Sequence, residues 1–473
     1  MPFAQAPGSA ARAALAEVRH EPFWLAGEFA PRPPARAPLA GPTEAELVVV
    51  GAGLSGLWTA LRAKERRPDA DVLLVEGDRI ANAASGRNGG FVASSITHGY
   101  LNGLSRWPDE FGTLYRLGVE NLDGIEATIA RYGIDCDFRR SGELDVATED
   151  YQVATLAAHV AELNPHGTGL TLLDREQVRA RVDSPTFLGA VHDDAVGQVD
   201  PARLSFGLAA AAEALGVRIV EGTPVTAIRR AGAALKLATP QGEITTSRVA
   251  LTTAAHRPLL RRIAAFVVPV FDHVVVTAPL PDDVRAAIGW GGGEGLSDSG
   301  NQFHYYRLTP DGRILWGGYD AVYTRGVRPE DGEERDDFLT ARLVQHLHDT
   351  FPAVAEVPIE FTWSGAIDTC ARFSAFWGKA YAGQLAYVAG YTGLGVGASR
   401  FGADVLLDLL WRERSERTQL SMVGSKPMPF PPEPVRQVVI DLTRSSIARA
   451  DANAGERNLW LRTLDRMGLG FDS

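Results

Sequence analysis

The chain has 473 residues, of which 45% are hydrophobic, so it is long and apolar enough for two or three folded domains and is not intrinsically disordered. Its formal net charge of −11 argues against a nucleic-acid partner or an acidic membrane surface, because both attract basic proteins. Its two cysteines, Cys136 and Cys370, cannot form a disulfide framework, and the uncharged run at 380–399 contains five glycines, so we expect a cytoplasmic protein without a membrane span.

The first predicted elements form one supersecondary unit. Residues 1–45 are expected to be an extension with a proline-rich tether at Pro31–Thr43. Glu46–Val50 predicts a short buried strand, Leu54–Arg67 a helix, and Asp71–Glu76 a second buried strand. Because two apolar strands flank one helix, the pattern predicts a βαβ unit and therefore a parallel sheet.

Later segments repeat the strand-and-helix pattern. Asp200 is expected to cap a helix whose first residue is Pro201, the usual place for proline at a helix start. Further strands are predicted at Arg218–Glu221, Val225–Ile228, Arg248–Thr253 and Leu385–Ala389, and a further helix from Val396 to about Leu410. Residues 96–185 carry helical segments, and 266–364 alternate β-rich stretches with a charged helix at about Glu333–Thr350. We therefore predict a nucleotide-binding domain that is interrupted by a second, more antiparallel domain.

A glycine pattern at Gly51, Gly53 and Gly56 stands between the first strand and the first helix. The first glycine permits the tight turn, the second lets a pyrophosphate approach the backbone, and the third lets helix and strand pack closely. Glu76 ends the second strand, where an acidic side chain accepts hydrogen bonds from ribose hydroxyls and would repel a 2′-phosphate. The pattern predicts a dinucleotide site, which disfavours NADP but leaves NAD and FAD open.

A second glycine-rich loop, SGRNGG, follows shortly after Glu76 and suits a backbone that wraps closely around an anion. Ser85, Gly86, Arg87, Asn88, Gly89 and Gly90 match, without gaps, a flavin-contacting turn of the D-amino-acid oxidase (DAO) superfamily, which the chain resembles. The resemblance implies FAD as the cofactor. It also implies an α/β fold (α+β overall) in which a Rossmann-like domain with a parallel sheet is interrupted by a substrate domain with a mostly antiparallel sheet, as in the glutathione-reductase-2 or DAO-like fold.

Other segments resemble the same superfamily. Val225 matches a position whose backbone meets the adenine, and Thr392–Gly395 matches a turn that brings a helix N-terminus to the flavin. Two departures are Ala254, where the family usually has glycine, and His256, where it usually has tryptophan. The segments Ser297–Gly318, Trp363–Asp368 and Phe430–Arg436 resemble the γ-glutamylputrescine oxidase-like branch, to which the aminophosphonate oxidoreductases belong.

These resemblances define expected domains and cofactor contacts. The expected FAD domain comprises 46–95, 186–265 and 365–414, the substrate domain 96–185 and 266–364, and the C-terminal helical tail 415–473. The expected cofactor-binding residues are Gly51, Ala52, Gly53, Leu54, Ser55, Gly56, Glu76, Ser85, Gly86, Arg87, Asn88, Gly89, Gly90, Val225, Thr392, Gly393, Leu394 and Gly395.

The resemblance implies an amine oxidoreductase. Such relatives move a hydride from the carbon beside an amine to flavin N5, giving an imine that water hydrolyses. We expect a primary or secondary amine substrate that is γ-glutamylputrescine-, aminophosphonate- or N-alkyl-amino-acid-like, with O2 as acceptor and H2O2 as product. Relatives that use oxygen place a lysine near the flavin, and no lysine occurs between Lys236 and Lys379, so another electron acceptor stays open.

Candidate substrate residues come from the β-rich block. In the strand HYYR, His304 and Tyr306 share one face while Tyr305 and Arg307 share the other, and one pair is expected to face the flavin cavity. An aromatic-plus-histidine face would suit an amine, and a tyrosine-plus-arginine face would suit a carboxylate or phosphonate. His98 lies near where relatives place substrate contacts.

Three further interpretations concern single residues. Arg372 is a candidate for the cavity, and Arg87 for neutralising the diphosphate or the reduced flavin ring. His346 and His348 are two residues apart on a helix and point to different faces, so no metal site is expected. Cys370 is expected to be a buried structural cysteine, which predicts non-covalent FAD.

Three alternatives remain open from sequence. The first is an FAD-dependent amine dehydrogenase that uses another acceptor. The second is an NAD-dependent dehydrogenase, which would leave the SGRNGG loop and the closing glycine-rich segment without a ligand. The third is a non-catalytic flavoprotein, with which the N-terminal extension and C-terminal tail are compatible. The oligomeric state is open.

Overall fold

The computed structural model describes residues 3, 6–27, 31–332 and 335–469. The strands are β1 (Arg19–His20), β2 (Thr43–Val50), β3 (Val72–Val75), β4 (Phe91–Ala93), β5 (Glu143–Ala147), β6 (Thr171–Asp174), β7 (Gly189–Asp193), β8 (Val196–Gln198), β9 (Arg218–Val220), β10 (Ala227–Ala231), β11 (Ala234–Thr239), β12 (Gly242–Leu251), β13 (Val268–Thr277), β14 (Gly295–Asp298), β15 (His304–Leu308), β16 (Ile314–Gly318), β17 (Ile359–Thr369), β18 (Phe376–Ala380) and β19 (Leu385–Ala389). The helices are α1 (Ser9–Ala13), α2 (Leu54–Arg66), α3 (Tyr100–Arg106), α4 (Phe111–Tyr132), α5 (Asp150–Leu163), α6 (Arg175–Arg181), α7 (Pro201–Ala214), α8 (Asp282–Ile288), α9 (Asp337–Thr350), α10 (Gly395–Trp411), α11 (Glu416–Gln419), α12 (Ser421–Gly424), α13 (Val435–Ala452) and α14 (Leu459–Arg466).

The smaller sheet has a parallel centre, in the order β9-β3-β2-β12-β19. The hairpin β10–β11 and strand β18 extend it in antiparallel fashion. Along β2, Leu47 and Val49 pack into the cluster that contains α2 and α10, whereas Val48 and Val50 pack into the cluster on the opposite face. Because both faces are covered, the strand is a continuous apolar run, and the parallel sheet expected from the sequence is confirmed.

The larger sheet has nine strands in the order β1-β17-β13-β16-β15-β14-β5-β7-β6. Most of its pairs are antiparallel, with β1–β17 and β5–β14 as the parallel exceptions. Its longest pairing joins β13 and β17, and helix α9 packs behind β13. The mixed architecture of one parallel and one mostly antiparallel sheet is therefore confirmed.

Several boundaries differ from the sequence-based expectation. Strand β7 lies within 186–265, which we assigned to the FAD domain, but it pairs with β5 and β6 in the larger sheet. The N-terminal extension is integrated into the fold, since β1 adds to the edge of the larger sheet and Phe23 is buried against Phe361. The helix expected from Glu333 begins at Asp337, and residues 333–334 lie outside the described residues.

The two sheets border one large cavity. Its volume is about 1350 Å³, and its lining runs from the carboxyl ends of β2 and β3 to the face of the larger sheet. Ligands of open α/β sheets bind outside the carboxyl ends of the strands, which makes this cavity the candidate site. Among the described residues, no helix is both long enough and apolar enough to cross a membrane.

Candidate cofactor and substrate site

In the first glycine turn, a Cβ atom at any of the three glycines would approach neighbouring atoms too closely. A Cβ on Gly56 would lie 1.8 Å from the Gly51 carbonyl oxygen, and Gly51 has a φ of +101°. A Cβ on Gly53 would lie 2.8 Å from the Ser85 hydroxyl oxygen. The backbone therefore requires glycine at 51 and 56, and a side chain at Gly53 would displace the Ser85 hydroxyl. The turn presents the start of α2 to the cavity, where a helix N-terminus attracts phosphate.

Glu76 links the turn to the end of β3. Its carboxylate accepts hydrogen bonds from the backbone N–H groups of Ala52 at 2.6 Å and Asp78 at 2.9 Å. Burial raises the pKa of Glu76, and these two N–H groups act in the opposite direction. The side chain lines the cavity, so it is placed to accept from the hydroxyls of a ribose.

The second loop is tied to the start of α2. The Ser85 hydroxyl accepts a hydrogen bond from the Leu54 N–H at 2.9 Å, and the Asn88 side chain accepts from the Gly90 N–H at 2.9 Å. Trp24 and Trp363 donate their indole N–H groups to the carbonyls of Asn88 and Arg87, each at 2.8 Å. The loop is held from both sides, so its backbone is preorganised along the cavity.

The closing glycine-rich segment forms the third turn at the cavity. Thr392 and Gly393 adopt positive φ angles of +51° and +96°, and α10 begins two residues later. The Asp368 carboxylate accepts from the Gly390 N–H at 2.7 Å, and burial raises the pKa of Asp368 to about 6. The turn thereby directs the N-terminus of α10 into the cavity, where its positive end stabilises a negative charge.

The expected cofactor residues converge on one surface. Ala52, Gly56 and Gly86 lie behind it, where Gly56 and Gly86 permit close backbone contacts. Of the expected cofactor residues, those that line the cavity are Gly51, Gly53, Leu54, Ser55, Glu76, Ser85, Arg87, Asn88, Gly89, Gly90, Val225, Thr392, Gly393, Leu394 and Gly395. Two helix N-termini, the Glu76 carboxylate at the end of β3 and glycines that leave the backbone accessible fit FAD, since a dinucleotide diphosphate needs N–H donors and close backbone approach.

Arg87 binds main-chain groups. Its side chain donates to the carbonyl of Asn82 at 3.0 Å and to that of Ser364 at 3.1 Å. These bonds join the second loop to β17. The arginine thus positions the loop, and its guanidinium lies at the cavity wall.

Beyond the flavin loops, Tyr305 and Asp272 form a buried pair. The Tyr305 hydroxyl donates to the Asp272 Oδ2 at 2.8 Å, and both side chains line the cavity. The Tyr305 ring lies between Gly89 and Gly317, because a Cβ at either glycine would approach it within 2.8 Å. Burial raises the pKa of Asp272 to about 7, although the bond from Tyr305 acts in the opposite direction.

Further carboxylates line the cavity on β5 and β7, and three strands (β16, β15 and β14) separate them from Asp272 on β13. Glu143 and Asp145 project from β5, and Asp193 follows on the neighbouring β7. Burial raises the pKa of Glu143 to about 7 and that of Asp145 to about 6. We did not single out these residues from sequence, although the period-two spacing of Glu143 and Asp145 is a signal for one strand face.

The structure separates the HYYR residues by face. His304 and Tyr306 lie on the face away from the cavity, where the His304 ring contacts the Asp298 carboxylate and lies 2.9 Å from His346. Tyr305 lines the cavity, whereas Arg307 lies beyond it. The alternation follows the prediction, but only one member of the strand reaches the cavity wall.

Arg307 and Arg372 bind backbone carbonyls. Arg307 donates to the carbonyl of Val199 at 2.7 Å, and Arg372 donates to that of Met422 at 2.9 Å. Burial lowers the pKa of each to about 10. Neither lines the cavity, so our expectation that they face a substrate does not match their positions.

His98 and Cys370 both line the cavity. His98 packs against Phe373, with ring centroids 5.8 Å apart, and burial lowers the pKa of His98 to about 4. The Cys370 thiol is buried and donates to the Ser374 carbonyl at 3.2 Å. Within the described residues, no group of three or more histidine, cysteine or acidic side chains has a metal-binding arrangement.

Comparison with known proteins identifies the family. The profile of the DAO family of FAD-dependent oxidoreductases matches residues 46–409. The chain is 32% identical to γ-glutamylputrescine oxidoreductase of Escherichia coli over 396 residues, which cover 82% of this chain and 88% of that protein. It is 27% identical to the probable oxidoreductase OrdL of Rhizobium meliloti over 391 residues, which cover 80% and 85%.

A solved structure supports the fold. Glycine oxidase from Geobacillus kaustophilus superposes with a TM-score of 0.67 at 19% identity, covering 79% of this chain and 96% of that one. The sequence match, the shared fold and the converging flavin loops agree with one another. The chain therefore belongs to the DAO family of FAD-dependent oxidoreductases.

Proposed function

We propose that the protein oxidises the carbon beside the nitrogen of a small cationic amine, giving an imine that water hydrolyses to a carbonyl compound and ammonia for a primary amine, or to a carbonyl compound and a shorter amine for a secondary one. The observation that carries this proposal is the lining of the cavity, which includes the glycine-rich loops and the carboxylates of Asp272, Glu143 and Asp145. FAD, when bound, supplies the acceptor for the hydride that leaves this carbon. The protein supplies binding, orientation and exclusion of water.

Asp272 is our candidate for holding the reacting ammonium group. It lies opposite Gly365 in the β13–β17 register, and Gly365 contacts Arg87 of the second flavin loop. A carboxylate with a pKa near 7 accepts a proton efficiently at neutral pH, so Asp272 is also suited to take the proton that converts the ammonium to the reactive amine. Tyr305 orients this carboxylate through its hydroxyl.

The charge pattern favours a cationic substrate over an anionic one. Among the described lining residues, the arginines already bind protein groups: Arg79 pairs with Glu221, Arg257 with Glu330 and Arg444 with Asp320, while Arg87 binds carbonyls. An aminophosphonate or N-alkyl amino acid would therefore need an anion partner that this wall does not offer. A γ-glutamylputrescine-like substrate, entering by its terminal amine, fits the carboxylates better.

For the second half-reaction we propose O2 as acceptor, with two electrons and two protons giving H2O2. An amine dehydrogenase with another acceptor is the alternative, supported by the absence of lysine between Lys236 and Lys379. Membership of a family of FAD-dependent oxidoreductases overturns the NAD-dependent alternative. A non-catalytic flavoprotein is less supported, because the carboxylate-lined space beyond the glycine-rich loops would then have no use. We further propose that FAD is held non-covalently, since the Cys370 thiol is buried and donates a hydrogen bond to the Ser374 carbonyl. We also propose that the enzyme is cytoplasmic.

The test is a panel of amines added anaerobically to the purified yellow holoprotein while the flavin absorbance is followed. We expect diamines and γ-glutamylated diamines to bleach it, and we expect amino acids and aminophosphonates to react at least tenfold more slowly. Air is then admitted and peroxide is measured, which distinguishes an oxidase from a dehydrogenase. A flavin that no amine bleaches would contradict the proposal, and faster bleaching by anionic amines would contradict the charge argument.

A further inference from the structure

The C-terminal segment closes one side of the cavity. Helix α13 contributes Val439, Ile440, Thr443 and Ile447 to the lining, and α14 contributes Leu464. The first four positions are spaced i, i+1, i+4 and i+8, which places them on one face of a helix. The helix therefore gives the cavity a mainly aliphatic surface next to Thr443 and Arg444, and the larger sheet contributes carboxylates to the same cavity.

The opposite face of α13 is exposed to solvent. Val435, Val438 and Leu442 are 53%, 64% and 42% exposed. Val438 and Val439 are adjacent in sequence, but only Val439 lines the cavity. The helix thus presents a matched pair of valines, one on each face.

Ionic and polar contacts hold the helix in place. The Arg444 guanidinium makes two hydrogen bonds of 2.6 Å to the Asp320 carboxylate, and the Asp451 carboxylate accepts from the Gln302 N–H at 2.8 Å. Burial acts against the charge of Asp320, but the bonds from Arg444 and Arg342 lower its pKa. The two contacts join α13 to the segment before β15 and to the segment after β16, both of which line the cavity.

Helix α13 lies outside the matched part of the chain. The family profile ends at residue 409, whereas α13 begins at Val435. The profile therefore does not cover α13, although this helix borders the cavity that the glycine-rich loops also line. Residues that border a binding cavity are suited to select among substrates.

We propose that α13 is the specificity wall of the cavity, and that Val439, Ile440 and Ile447 contact the apolar part of the amine. The inference rests on the proposed amine oxidation. Carboxylates on one wall and aliphatic side chains on the other define a substrate with an ammonium group and an alkyl chain or substituent. The length and branching of that chain are limited by the side chains of α13.

The test uses full-length holoenzyme and a series of straight-chain and branched primary alkylamines, with kcat/KM obtained from flavin reduction. Ile440→Ala and Val439→Ala enlarge the cavity, so the ratio of kcat/KM for longer to shorter amines should rise about tenfold, the selectivity that one or two methylenes provide. Val438→Ala makes the same change on the exposed face and should leave the ratio within about twofold of wild type.

A larger side chain gives an independent check. Val439→Phe should lower the ratio of kcat/KM for longer to shorter amines. This variant adds side-chain atoms to the cavity surface and does not depend on removing packed ones. Full FAD content in each variant shows that the fold is retained. Unchanged ratios in an active Val439→Ala or Ile440→Ala enzyme, or an equal shift in Val438→Ala, would overturn the proposal that α13 selects the substrate. If no amine bleaches the wild-type flavin, the proposed function fails first and this inference fails with it.

Discussion

The Tyr305 hydroxyl donates a 2.8 Å hydrogen bond to the Asp272 Oδ2 at the boundary between the flavin loops and the larger sheet. The tyrosine comes from β15 and the aspartate from β13, with β16 between these strands. The bond therefore depends on sheet order and on the two glycines, Gly89 and Gly317, that accommodate the tyrosine ring. Its position gives one carboxylate of the cavity a defined orientation.

Removing this hydroxyl tests the role of Asp272. We expect Tyr305→Phe to lower kcat/KM for a cationic amine at pH 7 by about tenfold to a hundredfold, since a hydrogen bond to a charged group contributes roughly 1.5–3 kcal/mol. Because the hydroxyl lowers the pKa of Asp272, its loss should also move the acidic limb of the pH profile upward. FAD content should not change.

A matched control is available on α4. The Tyr132 hydroxyl donates to the Glu65 carboxylate at 2.8 Å outside the cavity, so Tyr132→Phe removes the same kind of bond. Equal losses in both variants, or an unshifted profile in Tyr305→Phe, would contradict the assigned role.

The buried carboxylates predict a pH dependence of cation binding. Burial raises the pKa of Asp272 and Glu143 to about 7, and that of Asp145 to about 6, so all three are largely neutral at pH 5 and ionised at pH 8. A quaternary ammonium ion, whose charge does not titrate, should therefore bind tenfold or more tightly at pH 8, as one pKa unit corresponds to about 1.4 kcal/mol. Perturbation of the flavin spectrum measures this binding.

The same raised pKa values make the folded protein less stable as the pH rises, whereas cation binding strengthens. A carboxyl whose pKa is raised on folding binds more protons in the folded state, so folding stability decreases as the pH rises from about 4, near the unfolded pKa values, to about 7. A bound cation offsets this loss of folding stability, so the increase in melting temperature that the cation produces should grow with pH. A neutral isostere of the ammonium ion should bind equally at both pH values, and pH-independent binding of the cation would exclude these carboxylates from the site.

Gly53 provides a test of the cofactor turn. Valine at this position would place its Cβ 2.8 Å from the Ser85 hydroxyl oxygen and further atoms in the cavity, so Gly53→Val should yield protein with less than about a tenth of the wild-type flavin. The control is Gly112→Val, because Gly112 is exposed on α4 and nothing lies within 4 Å of its Cβ position. Flavin content per chain is read from the absorbance spectrum, and full flavin in Gly53→Val would refute the assignment.

The cofactor loops could be predicted because their signals are local. Gly51, Gly56 and Glu76 belong to one βαβ unit, and the strand and helix bounds around them agree with the structure within a few residues. The sterically required glycines reveal the turn directly, since no side chain fits at Gly56. Family, fold and cofactor follow from such contiguous patterns.

The substrate wall could not be predicted, because it is assembled by tertiary structure. Glu143 and Asp193 lie on different strands that meet only through sheet pairing, and Val439 comes from a helix nearly 300 residues after Glu143. Strand periodicity separated the two faces of HYYR correctly but could not show which face borders the cavity. It also could not show that Arg307, on the same face as Tyr305, would be drawn to backbone carbonyls.

For Arg307 we therefore predict an effect on stability and FAD retention, and not the selective loss of anion binding expected for an anion-binding residue. Its guanidinium donates to the carbonyl of Val199 at 2.7 Å and contacts that of Gly90 at 3.4 Å, which joins the second flavin loop to the start of α7. Arg307→Ala removes the donor to the Val199 carbonyl, while the Gly90 carbonyl keeps its bond from the Val199 N–H, so the variant should reduce stability by about 1–3 kcal/mol and weaken FAD retention. Thermal unfolding and flavin release measure both effects.

Kinetics should distinguish this structural role from substrate binding. In the flavin-loaded fraction of Arg307→Ala, the KM values for cationic and anionic amines should change by the same factor, because the side chain lies outside the cavity. Arg175→Ala, at an exposed position on α6, controls for loss of a charge and should alter neither stability nor KM. A KM increase confined to anionic amines would instead place Arg307 at the substrate, and the cationic assignment of the cavity would then have to be abandoned.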